Sequence, residues 1–363
     1  MRVLGLCSYP VSAAATRFRM EQFVEPLRAR GIELEIKPFV DETQFAPFYA
    51  KGGAVGKAFG LAGSILRRFA LLATARRYDV LLVQREAAMF GPAIFEWLFQ
   101  KLGRMPLVLD LDDATYVRYV SPTYGRLGSF LKFFGKTDNL IRRSSVVVCG
   151  NRFIAEYAES LGARTVVIPT VVDSDKFHPV EKHNDPPVIG WIGTHSTFRV
   201  LEGFFPVFAR LAETHKFRLK IVGSGVDNVK IENVDIENLP WSLDREVSDF
   251  QSLDIGVYPI TTTESMLAEW IKAKSGFKAI QYFAVGIPFV MSPVGICAEI
   301  GKPGETHVNA GSEDDWYDEL SKLLSEPALR ERMGQRGREF VLESFGFTKQ
   351  TDALERVLRG LGR

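Results

Sequence analysis

The sequence predicts an α/β protein of two domains, each with a parallel sheet covered by helices. Short apolar runs that suit buried strands alternate with helical patterns along most of the chain. The polar, proline-containing stretch 181–187 interrupts the alternation, which starts again with the apolar run 188–192. A chain of 363 residues also has the length of about two domains. Together these observations predict two tandem Rossmann-like domains over residues 1–180 and 187–345.

The composition is that of a globular protein with an apolar core. Hydrophobic residues make up 46% of the chain and charged residues 25%. Cys7, Cys149 and Cys297 are far apart and lack metal-ligand spacing, so we expect reduced core residues in a cytoplasmic protein. No secretory leader pattern is present, and no apolar run reaches the ~18 residues that cross a bilayer.

The net charge of +1 conceals an uneven distribution along the chain. Residues 1–180 contain 24 Lys and Arg against 17 Asp and Glu, whereas the remainder contains 21 against 27. This asymmetry indicates that the first half of the protein faces a negatively charged partner.

Two arginines follow the first predicted strand. An apolar run over 3–9 leads into a loop of small residues, and a helical pattern then begins at Arg17. The loop is poor in glycine, so it is not a dinucleotide fingerprint. Ligands of open parallel sheets bind beyond the carboxyl ends of the strands, which makes Arg17 and Arg19 candidate acceptor-binding residues. The alternative is that both are ordinary surface residues of a first helical turn.

Three carboxylates, Asp110, Asp112 and Asp113, end the strand predicted over 106–111. Their mutual repulsion must be offset, which is typical of a site. They could bind a divalent metal ion, or one of them could accept a hydrogen bond from an acceptor hydroxyl. They could also cap the next helix and pair with nearby arginines. The candidate arginines are Arg85, Arg118 and Arg126.

A basic amphipathic helix is predicted within residues 51–77, which hold six basic side chains and no acidic one. Its apolar face contains Phe59, Ile65, Leu66, Phe69 and Leu72. Residues 118–143 have a similar composition. Such a helix can lie on an anionic membrane surface, which would make the protein peripheral on the membrane. The alternative is a helix that packs on the sheet and leaves a basic edge in water.

The stretch 272–300 carries the clearest binding pattern. A polar loop with Gly276 leads into a helical pattern over 277–285, which Gly286 ends before the apolar strand pattern 289–291. The start of the helix would present free N–H groups and the positive end of the helix dipole. This arrangement favours a phosphate site.

Side chains around this helix start suit an anion. Lys274 and Lys278 supply positive charge beside Gly276 and Phe277. Gln281 lies three residues after Lys278 and therefore beside it on the helix, where its amide can donate and accept hydrogen bonds.

A second loop of this kind opens the second domain. The strand pattern 188–192 is followed by Gly193, Thr194 and His195, and Arg199 lies within the helix predicted next. Ser196 or Thr197 could cap that helix and direct its N-terminus toward a bound phosphate group. His195 is either a candidate catalytic residue or a hydrogen-bonding residue at the edge of the site.

These segments resemble GT-B fold glycosyltransferases of family 4. That family has a loop E-x-x-G, a helix E-A-x-A-x-G-x-P-V-V and then S-x-x-G-x-x-E. The matching positions are Gly276, Gln281, Ala284, Gly286, Pro288, Val290, Ser292, Gly295 and Glu299. Residues 168–179 also resemble the family's I-P-N-G-V-D-x-x-x-F-x-P. The resemblance covers most of the chain and is closest over 146–300.

The sequence departs from the family pattern at several positions. Ala273 stands where a family glutamate contacts the donor sugar, and Gln281 where a second glutamate holds the ribose. Thr194 replaces an arginine that neutralises the donor diphosphate, while Arg199 stands at the lysine of that motif. The carboxylate missing at Ala273 could come from elsewhere. The candidates are Glu264 and Glu269.

The resemblance implies a GT-B fold in which two Rossmann-like domains face each other across a cleft and a terminal helix, 346–363, crosses back to the first domain. It implies retaining transfer from a UDP- or GDP-linked sugar to a glycan, lipid-linked or small-molecule acceptor, in polysaccharide or glycoconjugate synthesis. Because GT-B enzymes mostly work without a bound metal, we expect no metal ion, and we expect no other cofactor and no nucleic-acid partner.

The implied site residues fall in three groups. The donor would be held by Gly193, Thr194, Arg199, Lys274, Gly276, Phe277, Lys278 and Gln281. The acceptor would be held by Arg17 and Arg19, and Asp110, Asp112, Asp113 and His195 are the candidate catalytic residues. Two alternatives stay open at this point. They are a non-catalytic nucleotide-sugar-binding protein and a nucleotide-sugar epimerase.

Overall fold

The computed structural model describes residues 1–49, 52–118, 125–260 and 268–362. The chain divides into two units, and the first is assembled from three separate stretches of sequence. It contains Met1–Thr170, Glu264–Ser275 and Thr348–Arg363, while the second contains Val171–Thr263 and Gly276–Phe347. The short stretch 264–275 groups with the first unit, although it lies within the predicted second domain.

The first unit is built on a parallel sheet with six strands among the described residues, in the order β2-β1-β3-β4-β5-β6. The strands are β1 (Arg2–Cys7), β2 (Glu33–Pro38), β3 (Val80–Gln84), β4 (Leu107–Leu111), β5 (Val146–Cys149) and β6 (Thr165–Val167). β3, β4 and β5 are buried at every residue, as is typical of parallel strands covered on both faces.

Helices of the first unit precede and follow these strands. They are α1 (Ala14–Arg19), α2 (Val24–Ala29), α3 (Glu42–Tyr49), α4 (Ala54–Leu72), α5 (Ile94–Gly103), α6 (Gly125–Lys132), α7 (Gly135–Arg143), α8 (Arg152–Ser160), α12 (Ala268–Lys272) and α16 (Phe347–Arg359). The core between sheet and helices is apolar and includes Leu4, Leu109 and Phe99. Ala273, which follows α12, is completely buried in the same core.

The terminal helix α16 belongs to the first unit, as predicted. Arg30 follows α2 and donates hydrogen bonds to Asp352 at 2.5 Å and to Glu355 at 2.8 Å. Arg359 in turn donates to Glu355 at 2.7 Å and to the carbonyl oxygen of Arg30 at 2.5 Å. A network of several charges is worth more than an isolated surface pair, so these contacts help to hold α16 in place.

The long helix α4 buries a polar side. Ser64 and Arg68 are buried, and the Arg68 guanidinium donates to the carbonyl oxygens of Cys7, Lys37 and Ala87. Cys7 ends β1, and Lys37 lies at the end of β2, so Arg68 ties α4 to the carboxyl edge of the sheet. Burial lowers the pKa of Arg68 to about 10, which leaves it charged at neutral pH.

The opposite side of α4 is apolar and faces water. Phe59 is 74% exposed and Leu66 68% exposed, and Val55, Ile65 and Phe69 are exposed as well. The prediction of an amphipathic helix here is confirmed. The packed-helix alternative also holds in part, because Leu61 and Leu71 pack against the core and Arg67 is exposed, whereas Arg68 is buried and the apolar side around Phe59 faces water. In the described part of the chain, no helix combines the length and apolarity that crossing a membrane requires.

The second unit has its own parallel sheet, again with six strands among the residues described, in the order β12-β11-β10-β7-β8-β9. The strands are β7 (Val188–Ile192), β8 (Arg218–Val222), β9 (Asp235–Leu239), β10 (Ile255–Tyr258), β11 (Phe289–Met291) and β12 (Val308–Asn309). The helices are α9 (His195–Glu202), α10 (Phe205–Ala212), α11 (Glu246–Gln251), α13 (Phe277–Ala284), α14 (Glu313–Ser325) and α15 (Pro327–Ser344).

The strand order of the second unit places a ligand site. β7 lies between β10 and β8, so the chain runs outward from β7 in one direction and returns through β10 in the other. Ligands of such sheets bind at this switch point, outside the carboxyl ends of the two central strands. The residues that follow β7 and β10 therefore lie where a ligand of this sheet would bind.

Close backbone packing holds α13 in place. A Cβ atom on Gly334 of α15 would lie 2.1 Å from the carbonyl oxygen of Gly286, so the two helices cross where only glycine fits. Arg338, one turn further along α15, donates to the carbonyl oxygens of Ala284 at 2.5 Å and Phe177 at 2.6 Å. The bond to Ala284 supplies a donor for the last carbonyl oxygen of α13.

Candidate active site

A lysine lies at the switch point of the second sheet. The Lys278 ammonium, in the first turn of α13, is 5.1 Å from the centre of the Trp191 ring and 5.3 Å from that of Tyr258. Trp191 lies in β7 and Tyr258 ends β10. Both rings attract a cation, so they hold the positive charge beside the carboxyl ends of the two central strands.

The loop after β7 begins a helix at the same place. A Cβ atom on Gly193 would lie 2.2 Å from the Trp191 ring, so only glycine fits at this position. Thr194 is the N-cap of α9, and its N–H donates to the Thr197 hydroxyl at 3.3 Å. The N-cap is therefore Thr194, and not Ser196 or Thr197 as predicted. Threonine is a favoured N-cap residue, which gives a structural reason for its presence where the resembling family has arginine.

A glycine loop that we did not predict as part of the site lies against this one. Gly223 and Gly225 follow β8 and have φ angles of 83° and 72°. A Cβ on Gly223 would lie 2.3 Å from the carbonyl oxygen of Gly193, and one on Gly225 would lie 2.7 Å from His195 Cβ. The two loops can approach this closely because both carry glycine. The Gly-Ser-Gly sequence after a predicted strand was the available signal.

The start of α13 also depends on glycine. Gly276 is the N-cap with φ 62°, and a Cβ there would lie 2.3 Å from Ile300 Cδ1. The first N–H groups of a helix have no acceptor within the helix, so the turn from Gly276 to Lys278 offers donors to an anion. Phe277 is half-buried at the first helical position.

The positions of two predicted donor-binding residues, Arg199 and Gln281, give less support for a binding role. Arg199 lies in the second turn of α9 and is exposed to water. Gln281 is only 4% exposed on α13, so a small part of it is open to a ligand. A role for either residue in binding stays a prediction.

The arrangement in the second unit suits a diphosphate. Lys278 and Gly193 both lie against the Trp191 ring, and each is next to a helix start. Helix N-termini and an ammonium group stabilise negative charge. During glycosyl transfer, charge develops on a departing phosphate, and prearranged donors lower the energy of that state.

In the first unit, Arg19 and Asp110 form a buried ion pair. Arg19 Nε donates to Asp110 Oδ2 at 3.0 Å, and a second nitrogen contacts Asp110 Oδ1. Arg19 also donates to the carbonyl oxygen of Ile168 at 2.7 Å. Burial opposes the charge on Arg19, but Asp110 offsets this, so the pKa of Arg19 is raised. Acceptor binding by Arg19 stays a prediction, although the two side chains already bind each other.

Asp112 is likewise paired. Arg85 Nε donates to Asp112 Oδ1 at 2.6 Å and Arg85 Nη2 donates to Asp112 Oδ2 at 2.7 Å, so the ion pair is bidentate. Arg85 has a φ of 62°, an unusual conformation for a side chain of this size. Burial would raise the pKa of Asp112, but the charge and hydrogen bonds of Arg85 outweigh burial and lower it. The arginine-pairing alternative therefore describes Asp112.

Asp113 is the carboxylate left for chemistry. Its side chain is 25% exposed, and it accepts a hydrogen bond from the N–H of Ala114 at 2.9 Å. Arg85 approaches it only to 3.7 Å. Burial raises the pKa of Asp113, and the charge of Arg85 only partly opposes this. A carboxylate with a raised pKa and free surface can accept a proton or a hydroxyl hydrogen bond.

Arg17 turns back on its own loop. Its guanidinium donates to the carbonyl oxygens of Val11 at 3.2 Å and Ser12 at 3.1 Å. It also lies 4.8 Å from the centre of the Phe18 ring. These contacts order the loop after β1, and acceptor binding by Arg17 stays a prediction.

The stretch that ends at Lys274 packs beside the carboxylates. The Lys274 ammonium lies 4.1 Å from the centre of the Trp270 ring, and its charge acts on Asp113. Asn151 donates to the carbonyl oxygen of Ala273 at 2.8 Å. Lys274, predicted to bind the donor, thus groups with Asp113 in the first unit. Glu269 is exposed on α12, and Glu264 lies outside the described residues.

An aromatic pair lies near Asp113, whose charge acts on Tyr116. The rings of Tyr116 and Tyr157 stack with centres 3.6 Å apart, and Tyr157 donates to Asp138 at 2.7 Å. Burial raises the pKa of Tyr157 to about 12, so it stays a hydrogen-bond donor. Within the described ranges, no group of three His, Cys, Asp or Glu side chains is arranged to hold a metal ion.

Comparisons with known proteins agree with this geometry. Residues 173–340 match the family model described as glycosyl transferases group 1. Over these residues the chain is similar to the group 1 glycosyltransferases, and its fold is the GT-B fold. Membership in family 4 stays a prediction. No curated protein sequence matches the chain.

Solved structures share the fold over nearly the whole chain. Sucrose-phosphate synthase from Thermosynechococcus elongatus is 15% identical, with a TM-score of 0.69 over 99% of each chain. Anabaena HepE in complex with UDP and glucose is 14% identical, with a TM-score of 0.71 over 99% of this chain and 100% of its own. The α,α-trehalose 6-phosphate synthase of Burkholderia multivorans is 10% identical, with a TM-score of 0.63 over 99% and 96%. At these identities the similarity establishes the fold.

Proposed function

We propose that the protein is a retaining glycosyltransferase that transfers a sugar from a UDP- or GDP-linked donor to an acceptor bound by the first unit. The observation that carries the proposal is the cationic helix-start site around Lys278 and Gly193 at the switch point of the second sheet. The solved HepE structure, which shares the fold, contains UDP.

The chemistry assigns a separate task to each unit. The second unit stabilises the departing diphosphate through Lys278 and the N–H groups at the starts of α9 and α13. In the first unit, Asp113 accepts a hydrogen bond from the acceptor hydroxyl. In the retaining transfer that the resemblance to family 4 implies, a departing phosphate oxygen takes the hydroxyl proton, which is consistent with a first unit that contains no histidine.

Nucleotide binding tests the donor site. We expect calorimetry to show binding of UDP or GDP in preference to ADP, and Lys278→Met to weaken it at least about tenfold through loss of a charge-assisted contact. Lys322→Met removes an exposed lysine of α14 and is the matched control. Equal affinity in both variants, or no binding of any nucleotide by the unchanged protein, would refute the site.

The same titration assigns the remaining candidates. Arg199→Ala and Lys274→Ala are expected to weaken nucleotide binding, whereas Asp113→Ala is expected to spare it. With a donor identified in this way, the anomeric configuration of the product, read by NMR, decides whether the transfer retains or inverts. An inverted product would remove the retaining mechanism while leaving the donor site intact.

We further propose that the first unit docks on an anionic membrane surface. Its exposed apolar side chains include Phe59 and Leu66 on α4 and Phe130 on α6. Residues 1–180 also carry the excess of positive charge. Apolar insertion and attraction to anionic lipid together give such binding its strength.

Sedimentation with lipid vesicles tests the docking. We expect binding to phosphatidylglycerol vesicles at low salt, weaker binding at high salt, and little binding to phosphatidylcholine. Phe59→Ser with Leu66→Ser should reduce it, whereas Val226→Ser, at an exposed position of the second unit, should not. Lack of sedimentation at low salt, or equal sedimentation of all variants, would contradict the proposal.

A further inference from the structure

A cavity of about 420 Å³ lies between α3 and α4 in the first unit. One wall is apolar and contains Val40, Pro47 and Phe48. The other wall is α4, with its backbone at a run of glycines and the side chains of Lys57, Leu61 and Ser64. This volume is in the range of small-molecule sites, and the cavity takes no part in the donor or carboxylate sites described above.

Glycines keep this cavity open. The α4 side of its lining includes Gly52, Gly53, Gly56 and Gly60. A Cβ atom added to Gly56 would meet no atom within 4 Å, so a side chain there would extend into free space. Glycine in the interior of a helix costs about 0.5–1 kcal/mol relative to alanine. Several such residues along one side of α4 leave a groove that ordinary helix-forming residues would fill.

The polar groups in the lining already have partners in the protein. Gln44 accepts hydrogen bonds from Ser64 at 3.2 Å and Arg67 at 3.0 Å, and donates to the carbonyl oxygen of Gly60 at 3.2 Å. Thr43 donates to Asp41 at 2.7 Å. An apolar occupant would therefore leave these groups satisfied, whereas a polar ligand would have to break their bonds.

The cavity borders the exposed apolar side of α4. With 100° between successive helical residues, Phe59 lies about 60° from Gly56 around the helix axis, on the side away from the sheet. Apolar surface thus continues from the outside of α4 across the bare backbone at Gly56 and into the cavity. This continuity fits a long apolar molecule with one end outside, rather than a compact ligand.

We propose that the α3–α4 cavity binds the hydrocarbon chain of an amphiphilic acceptor. The chain enters past Phe59 and Gly56, and the polar head stays outside. The assignment of the chain to the sugar acceptor rests on the proposed glycosyl transfer, whereas the binding of a chain does not. The acceptor class would then be a lipid-linked sugar or alcohol, and not a free glycan or a small polar molecule.

Calorimetry with alkyl glucosides below their micelle concentrations tests the cavity. For octyl, nonyl and decyl glucoside we expect saturable binding that improves about fourfold per added methylene and levels off once the cavity is full. Gly56→Leu should weaken decyl glucoside binding at least about tenfold, because its side chain occupies the cavity. Gly63→Leu is the matched control, since Gly63 also has free space around it but does not line the cavity.

Equal affinity of the unchanged protein and Gly56→Leu, no dependence on chain length, or an equal loss in Gly63→Leu would overturn the proposal. Two further measurements separate it from the proposed function. UDP binding reports the donor site, so its absence in all proteins would refute glycosyl transfer while the alkyl data stand. Vesicle sedimentation should be equal in both leucine variants. Its loss in Gly56→Leu alone would show that the cavity takes a bilayer lipid and would overturn the acceptor assignment.

Discussion

The Asn151 side chain donates a hydrogen bond to the carbonyl oxygen of Ala273 at 2.8 Å. Asn151 follows β5 and also caps α8, since its Oδ1 accepts from the N–H of Ile154 at 3.1 Å. Ala273 is completely buried. The position at which the resembling family carries a sugar-binding glutamate is thus part of the core of the first unit, tied there through its backbone.

Replacing Asn151 by aspartate separates its two roles. Asn151→Asp keeps an oxygen to cap α8 but replaces the donor to Ala273 with a carboxylate that repels the carbonyl oxygen. We expect faster amide hydrogen exchange over residues 268–275 and unchanged exchange in α8. Faster exchange in α8 with no change over 268–275 would contradict this division of roles.

Restoring the family glutamate should damage the protein rather than improve it. Ala273→Glu would place a larger, ionisable side chain in a closed apolar core, at a cost of about 3 kcal/mol or more in the free energy of unfolding. Urea unfolding measures the loss, with Glu269→Ala, at an exposed position of α12, as the control. A stable Ala273→Glu protein with improved transfer would show that this position faces the donor sugar.

The neighbouring carboxylates Asp112 and Asp113 should respond differently to removal of charge. Asp112→Ala removes the bidentate partner of the half-buried Arg85 cation and leaves only Asp113 at 3.7 Å, so we expect a loss of about 2–3 kcal/mol of stability. Asp113→Asn leaves the Arg85–Asp112 pair intact and should cost less than about 1 kcal/mol of stability, while transfer falls at least about tenfold, because an amide oxygen accepts a hydrogen bond more weakly than a carboxylate.

Thermal or urea unfolding and a transfer assay, applied to both variants, test this contrast. Normal transfer by Asp113→Asn would remove Asp113 from the reaction. Equal losses of stability would show that Asp113, and not only Asp112, is needed to balance Arg85.

His307 makes the stability of the second unit depend on pH. It is fully buried, stacks 5.3 Å from the centre of the Phe289 ring and contacts Asn309 Oδ1 at 3.2 Å. Burial lowers the pKa of His307 to about 4, from 6.5 for a free side chain. Between these values the unfolded chain binds a proton that the folded chain does not. Stability therefore falls as the pH is lowered, by up to about 3 kcal/mol from pH 7 to pH 4.

His307→Gln, which does not titrate, should reduce this slope between pH 4 and pH 6.5 in urea unfolding followed as a function of pH. His183→Gln, at an exposed position between the two sheets in sequence, is the control and should keep the slope. An unchanged slope in His307→Gln would mean that other groups account for the pH dependence.

Periodicity and turn residues were enough to predict both sheets and the placing of α13. Gly276 and Gly286 could be predicted as the limits of that helix because a left-handed backbone and a helix end both favour glycine. The strand ends then indicated Thr194 and Asp113 as site residues, since ligands of parallel sheets bind there.

Other features depend on contacts between distant residues and could not be predicted from local pattern. The helical period of α4 defines two faces but not which of them meets the sheet. Arg68 contributes to this choice by donating to the carbonyl oxygens of Cys7 and Lys37 in β1 and β2 and of Ala87 in the loop after β3. Ion pairing likewise distinguishes the three aspartates, because Arg19 binds Asp110 and Arg85 binds Asp112. The burial of Ala273 depends on Asn151, which is 122 residues away in the chain.

Because three stretches of sequence form the first unit, only certain fragments and chimeras of this protein can keep that unit intact. A fragment cut at residue 180 would lack both α16 and the stretch 264–275, so Arg30 would lose its two carboxylate partners and Asn151 its acceptor. The second unit, cut out in turn, would carry an insertion that has no core to join. Chimeras that exchange whole donor or acceptor modules with other glycosyltransferases therefore need several matched junctions, and single-crossover hybrids should misfold.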